Sequence, residues 1–131
     1  MSSEKSVYIG SSDGTPVNLY IADDPNDTST YGKKFFVIGD STNKVFEFLA
    51  TTAWDVTTID DAGDGGTAAP NATFILPTTP DNYYSGVCFS RSGSKMFVTR
   101  NSNNSPEVQV YDLSTNYDLS LIHISEPTRP Y

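Results

Sequence analysis

The sequence predicts an all-β protein made of two four-stranded antiparallel sheets stacked face to face. Three observations lead there. A detailed residue pattern occurs twice, so that Gly32 returns as Gly93 and Trp54 as Tyr117. Short apolar runs rich in β-branched and aromatic residues alternate with clusters of Gly, Pro, Asn, Asp and Ser, the vocabulary of strands and tight turns. No long segment carries an apolar period of 3.6 residues, so little helix is expected.

The repeat sets the elements. Gly32-Lys33-Lys34-Phe35-Phe36-Val37 aligns with Gly93-Ser94-Lys95-Met96-Phe97-Val98. After an insertion at Pro106 and Glu107, Val45 meets Val108 and Phe48 meets Tyr111. Thr52-Ala53-Trp54-Asp55-Val56 then meets Thr115-Asn116-Tyr117-Asp118-Leu119. Self-similarity at such a period points to stacked copies of one supersecondary unit. In the first copy, strands are expected over residues 17–21, 34–38, 44–49 and 54–59. In the second they are expected over 84–90, 95–100, 107–113 and from 117 onward, with turns at 91–94, 101–105 and 114–116. The polar stretch 22–32 replaces the tight turn in the first copy, as a solvated insertion would. The chain thus divides into an N-terminal tail (1–6), a first unit (7–59), a linker (60–73), a second unit (74–119) and a tail (120–131).

Phe35-Phe36-Val37-Ile38 and Met96-Phe97-Val98 do not alternate apolar with polar residues. A strand apolar on both faces is covered on both faces. Face-to-face stacking of small antiparallel sheets is the β-propeller arrangement. A two-layer sandwich, which covers only one face of each sheet, is the alternative. Trp54 and Tyr117 are expected at matching places between sheets, where a large ring buries much area. Asp55 and Asp118, which follow those rings, are expected to accept backbone N–H groups at turns. Gly32, Phe36, Val37, Trp54, Asp55, Gly93, Phe97, Val98, Tyr117 and Asp118 are therefore anchors of the repeat, not catalytic groups.

The 131 residues amount to one domain or part of one. Sixteen acidic against eight basic residues give a net charge of -8. Nucleic acid and anionic membranes demand clustered Lys and Arg, so both are excluded as partners. The acidity reads as a solubility device. Cys88 is the single cysteine, so no intrachain disulfide forms. Within Gly86-Val87-Cys88-Phe89 it is expected as a small buried hydrophobe. The opening MSSEKSVYIG has no apolar leader, and no run of 18 apolar residues predicts a membrane-spanning helix.

Chemistry-bearing stretches are few. Asp60, Asp61 and Asp64, set among Gly63, Gly65 and Gly66, are candidate Ca²⁺ ligands, because that ion takes several oxygen ligands. The EF-hand spacing is absent: counted from Asp60, position three is Ala62 and position twelve is Asn71. Asp23-Asp24-Pro25-Asn26-Asp27 is similar. A solvated loop is the competing reading of both. No Cys/His cluster suits zinc, and a Ser-His-Asp triad has only His123 to draw on. No catalytic residue and no cofactor other than that Ca²⁺ is expected. The sequons at Asn26 and Asn71 matter only on a eukaryotic secretory path.

Lys95-Met96-Phe97-Val98-Thr99-Arg100-Asn101, with Val108-Gln109-Val110-Tyr111-Asp112, resembles the YVTN-type β-propeller repeat. Ser85-Gly86-Val87-Cys88-Phe89-Ser90-Arg91-Ser92-Gly93 resembles the lead-in of that repeat, with Arg91 and Ser92 where the family has Pro and Asp. The first copy diverges further, carrying Ile38-Gly39-Asp40 where Thr and Asn would stand. The resemblance spans residues 7–119. It implies two blades of a larger propeller and says almost nothing about function, since propellers host many activities.

The final twelve residues, SLIHISEPTRPY, do not continue the repeat. Residues 120–129 resemble a translated sequencing-adapter end, a read-through artefact of assembled environmental sequence. On that reading His123, Glu126 and Arg129 are not site candidates. A genuine terminal strand over 121–124 is the rival reading.

The functional expectation is a non-catalytic recognition or scaffold module, suited to a cell or virion surface, that binds protein or glycan through its loops. Its nearest partners would be missing blades of the same chain or other copies. One alternative is a fragment of a propeller enzyme whose catalytic residues lie in missing blades. Another is a short chain that builds a ring by self-association.

Overall fold

The computed structural model describes residues 4–10, 14–39, 42–76, 83–101 and 106–119. The C-terminal tail, with His123 and the rival strand 121–124, lies outside the described residues. Two antiparallel sheets form. The first has the order β1 (Pro16–Ile21), β2 (Lys34–Gly39), β3 (Lys44–Leu49), β4 (Ala72–Ile75). The second has the order β5 (Tyr83–Phe89), β6 (Lys95–Asn101), β7 (Glu107–Asp112).

The two sheets are the same unit built twice, down to register. Leu19 pairs with Val37 and Val37 with Phe46 in the first; Val87 pairs with Val98 and Val98 with Gln109 in the second. The first strand of each carries a register shift at the same place, between Pro16 and Asn18 and between Tyr84 and Gly86. Such a bulge increases twist and bends the strand.

The sheets stack head to tail. Tyr20, Phe36, Ile38, Val45 and Phe74 form the back face of the first sheet. They meet Val87, Phe89, Met96, Val98 and Tyr111 on the front face of the second. Phe36 and Phe89 have ring centroids 4.2 Å apart, and Tyr20 and Phe89 5.4 Å. The register makes Met96, Val98 and Tyr111 equivalent to Phe35, Val37 and Phe48. Those three belong to the opposite, front face of the first sheet.

That front face has its own core. Phe35, Val37, Phe46 and Phe48 are covered by Ala50, Ile59 and Ala68, with Val7, Ile9 and Val56 packed alongside. The N-terminal segment is tied to the long loop by Tyr8 N–H to Gly66 O (2.7 Å) and Ala68 N–H to Tyr8 O (2.9 Å). Strand β2 is thus buried on both faces.

Four expectations are corrected. The fourth strand is not residues 54–59. Trp54 has φ +63°, outside the extended region. Residues 51–58 make turns ending in a short 3-10 helix, Val56–Thr58, which Asp55 caps through Thr57 N–H. The strand that pairs with β3 is β4, within the stretch expected as linker and start of the second unit. Tyr117, with φ +58°, likewise sits in a turn and not in a strand.

The second sheet has three strands among the described residues, not four. Among the described residues nothing covers its back face: Phe97 is half-buried and Val108 exposed. Cys88 is exposed, not buried, because strand alternation sends Val87 and Phe89 to the core and Cys88 to that open face.

Candidate functional site

The repeat anchors converge at the end of the stack where β1, β3, β5 and β7 finish. Gly32 (φ +66°) and Gly93 (φ +80°) open matching turns, a conformation that glycine adopts without a side-chain clash. Each is then covered by an aromatic ring. Trp54 N–H donates to Gly32 O (2.7 Å) and Tyr117 N–H to Gly93 O (2.8 Å). The Trp54 ring lies where a Gly32 side chain would be, and the Tyr117 ring where a Gly93 side chain would be. The aromatic closes each unit over its own glycine.

The two rings nonetheless differ. Tyr117 is fully buried, stacked near Phe36 at 6.1 Å and tilted against Phe89 at 5.6 Å. Its hydroxyl donates to Arg91 O. Trp54 is 50 % exposed and braced edge-on by Tyr31, with centroids 5.3 Å apart. The expectation that Trp54 lies between sheets is therefore overturned. Tyr117 is covered because the first sheet lies in front of it. Among the described residues, only the N-terminal segment and loop residues lie in front of the first sheet.

The acidic residues hold loops. Asp60 accepts Ala69 N–H at 2.9 Å and Asp64 accepts Ser6 N–H at 3.0 Å. Asp60 and Asp61 border a polar hollow of about 360 Å³ with Thr51, Pro70 and Asn71. Among the described residues, no three His, Cys, Asp or Glu side chains are grouped to hold a metal ion. Asp24 accepts Asn26 N–H (3.0 Å), and Asp27 accepts the Ser29 hydroxyl (2.7 Å). The Ser29 hydrogen bond holds the Asp27 carboxyl below its usual range. Hydrogen bonds from the Thr57 hydroxyl and N–H do the same for Asp55.

One polar group escaped the sequence reading. Glu47 is fully buried between the sheets. Its carboxylate accepts Leu119 N–H (2.9 Å) and the Asn71 amide (2.7 Å), and it pairs with the Lys34 ammonium at 3.3 Å. Lys34 also donates to Tyr117 O at 2.8 Å. This cluster ties the end of the second unit to the middle of the first. No local pattern announces it, because Asn71, Leu119 and Tyr117 lie 24 to 83 residues from the groups they bond.

Burial, with the Asp23 carboxylate adding to it, pushes the Tyr20 hydroxyl far above its ordinary value. Burial also raises the Tyr84, Tyr111 and Tyr117 hydroxyls. A folded-state value raised above the unfolded one means stability is fully present below the unfolded value near 10 and is lost above it. The protein is therefore expected to lose stability as pH rises past about 10, with denaturant unfolding midpoints falling over that range. Midpoints that hold constant well above pH 10 would contradict the burial of these four hydroxyls.

Among the described residues no helix is long and apolar enough to cross a membrane. The chain matches no protein-family model, no curated protein and no solved structure, so its fold and site rest on the chain itself.

Proposed function

We propose that the protein is a non-catalytic recognition module of the β-propeller type, whose sheets are successive blades and whose loop end binds glycan. The observation that carries this reading is Trp54, a half-exposed indole held in place by the Gly32 turn and Tyr31. A rigid aromatic face surrounded by hydrogen-bonding loop residues is suited to the apolar face of a sugar ring. Asp23, Asp24, Asp27 and Asp55 belong to loops at the same end of the stack, where carboxylates can accept sugar hydroxyls. The head-to-tail stacking and the shared bulge support the blade reading.

Trp54 is the single tryptophan, so intrinsic fluorescence reports this site alone. Titration with a panel of neutral oligosaccharides is expected to give a saturable shift, and calorimetry is expected to show that binding is lost in Trp54→Ala. A shift with peptides but no sugars would move the reading to protein recognition. Silence with both would sink it.

A further inference from the structure

We infer that the open back face of the second sheet is a docking surface for a second copy of this chain, which presents the front of its strand β1. The inference rests on reading the two sheets as successive units of one stack. The template is the sheet–sheet interface inside the molecule. There, β5 packs its front face on the backs of β1 and β2. Val87 is 5 % exposed in that contact, and Val45 opposite is 0 % exposed.

The same positions in the other sheet are bare. Leu19, equivalent to Val87 by register, is 52 % exposed, and Val108, equivalent to Val45, is 43 % exposed. Val87 and Val45, which the internal interface buries, thus have their counterparts uncovered, one at each end of the stack, whereas Phe35, Val37 and Phe48, the counterparts of Met96, Val98 and Tyr111, are already covered. The match between the two ends therefore lies along β1 and the back of the second sheet.

The shapes agree. Behind the second sheet lies a hollow of about 430 Å³ bordered by Asn18, Gly86, Cys88, Phe97, Thr99 and Val108. In front of the first sheet, residues 4–10 and the 50–68 loop cover β2 and β3 but leave a groove of about 310 Å³ along Pro16 and Leu19. The open strand there, β1, is the counterpart of β5, which makes the internal contact. Both surfaces are uncharged, and Asn18 and Val87 make the hollow continuous with the established interface. A contact between different faces of the two copies is heterologous, so it propagates or closes into a ring. The net charge of -8 on each copy opposes it, so added salt is expected to strengthen association.

The test is sedimentation of the whole chain from about 1 to about 300 μM, the affinity range of a small interface. The expected result is a mean mass that passes two chains and rises further with salt. Leu19→Glu and Val108→Glu each disable one end, and both positions are exposed, so circular dichroism is expected to be unchanged. Each variant alone is expected to remain a monomer, whereas their equimolar mixture forms a dimer and nothing larger. In the unsubstituted chain, a bulky maleimide on Cys88 is expected to block association as well. The inference is overturned by a wild type that stays monomeric, by a single variant that assembles as the wild type does, or by a mixture that yields no dimer. A Cys88 that resists labelling in the monomer overturns the open face itself and, with it, the stacking reading. The Trp54 response to sugar lies at the loop end and is read separately.

Discussion

Replacing Tyr117 with alanine is expected to destabilise the protein by about 4 kcal/mol, the upper range for deleting a buried aromatic ring. The ring is fully buried against Phe36 and Phe89 and roofs the Gly93 turn. Its removal leaves a cavity at the seam where the two sheets meet, and the carbonyl of Arg91 loses its hydroxyl donor. The repeat-equivalent change, Trp54→Ala, is expected to cost about 2 kcal/mol, since half of that ring is already in water. Denaturant unfolding of both variants measures the difference. Equal losses would mean that a sheet or loop covers Trp54 as the first sheet covers Tyr117. The contrast tests the direction of stacking, because head-to-tail order is what buries one ring of the pair and not the other.

Glu47→Ala is expected to cost about 3 kcal/mol, the lower range for removing one partner of a buried ion pair. Three groups lose an acceptor at once: the Lys34 ammonium, the Asn71 amide and the Leu119 N–H. Lys34 keeps the Tyr117 carbonyl, which holds the loss below the maximum. Glu47→Gln keeps a carbonyl oxygen for Leu119 N–H and gives up the charge, so about 1–2 kcal/mol is expected. Hydrogen exchange adds a local reading. In Glu47→Ala the amide of Leu119 is expected to lose protection before the strands do, because that N–H rests on the carboxylate alone among the described residues. Unchanged protection would place the end of the second unit under other control.

Much of the architecture was legible because it is written in local pattern. The correspondence of Gly32 with Gly93 and of Trp54 with Tyr117 can be read off the aligned copies, as can β2, β3, β6 and β7 to within about one residue. The continuous apolar run Phe35-Phe36-Val37-Ile38 told correctly that β2 is covered on both faces. The acidic loop residues were visible too. What they do was not: Asp60 and Asp64 hold backbone N–H groups of segments 9 and 58 positions away.

The fourth strand was misplaced because alternation in Trp54-Asp55-Val56-Thr57-Thr58 imitates a strand. The positive φ of Trp54 and the Asp55 cap turn it into a 3-10 turn instead. That backbone state is set by the ring's contact with Gly32, 22 positions earlier in the chain, and no window of the sequence contains both. Cys88 and Phe97 read as core because their neighbours are apolar. Burial, however, belongs to a face and not to a residue, and nothing among the described residues covers that face.

The sequence by itself therefore determined the all-β class, the twofold repeat and the glycine and aromatic residues that recur in it, since period, turn chemistry and glycine placement act over a few residues. The tertiary structure alone decided which copy of each repeated residue is buried, that β4 pairs with β3 and how Glu47 joins the units. Those outcomes depend on which sheet stands in front of which, a long-range choice that identical local patterns leave open.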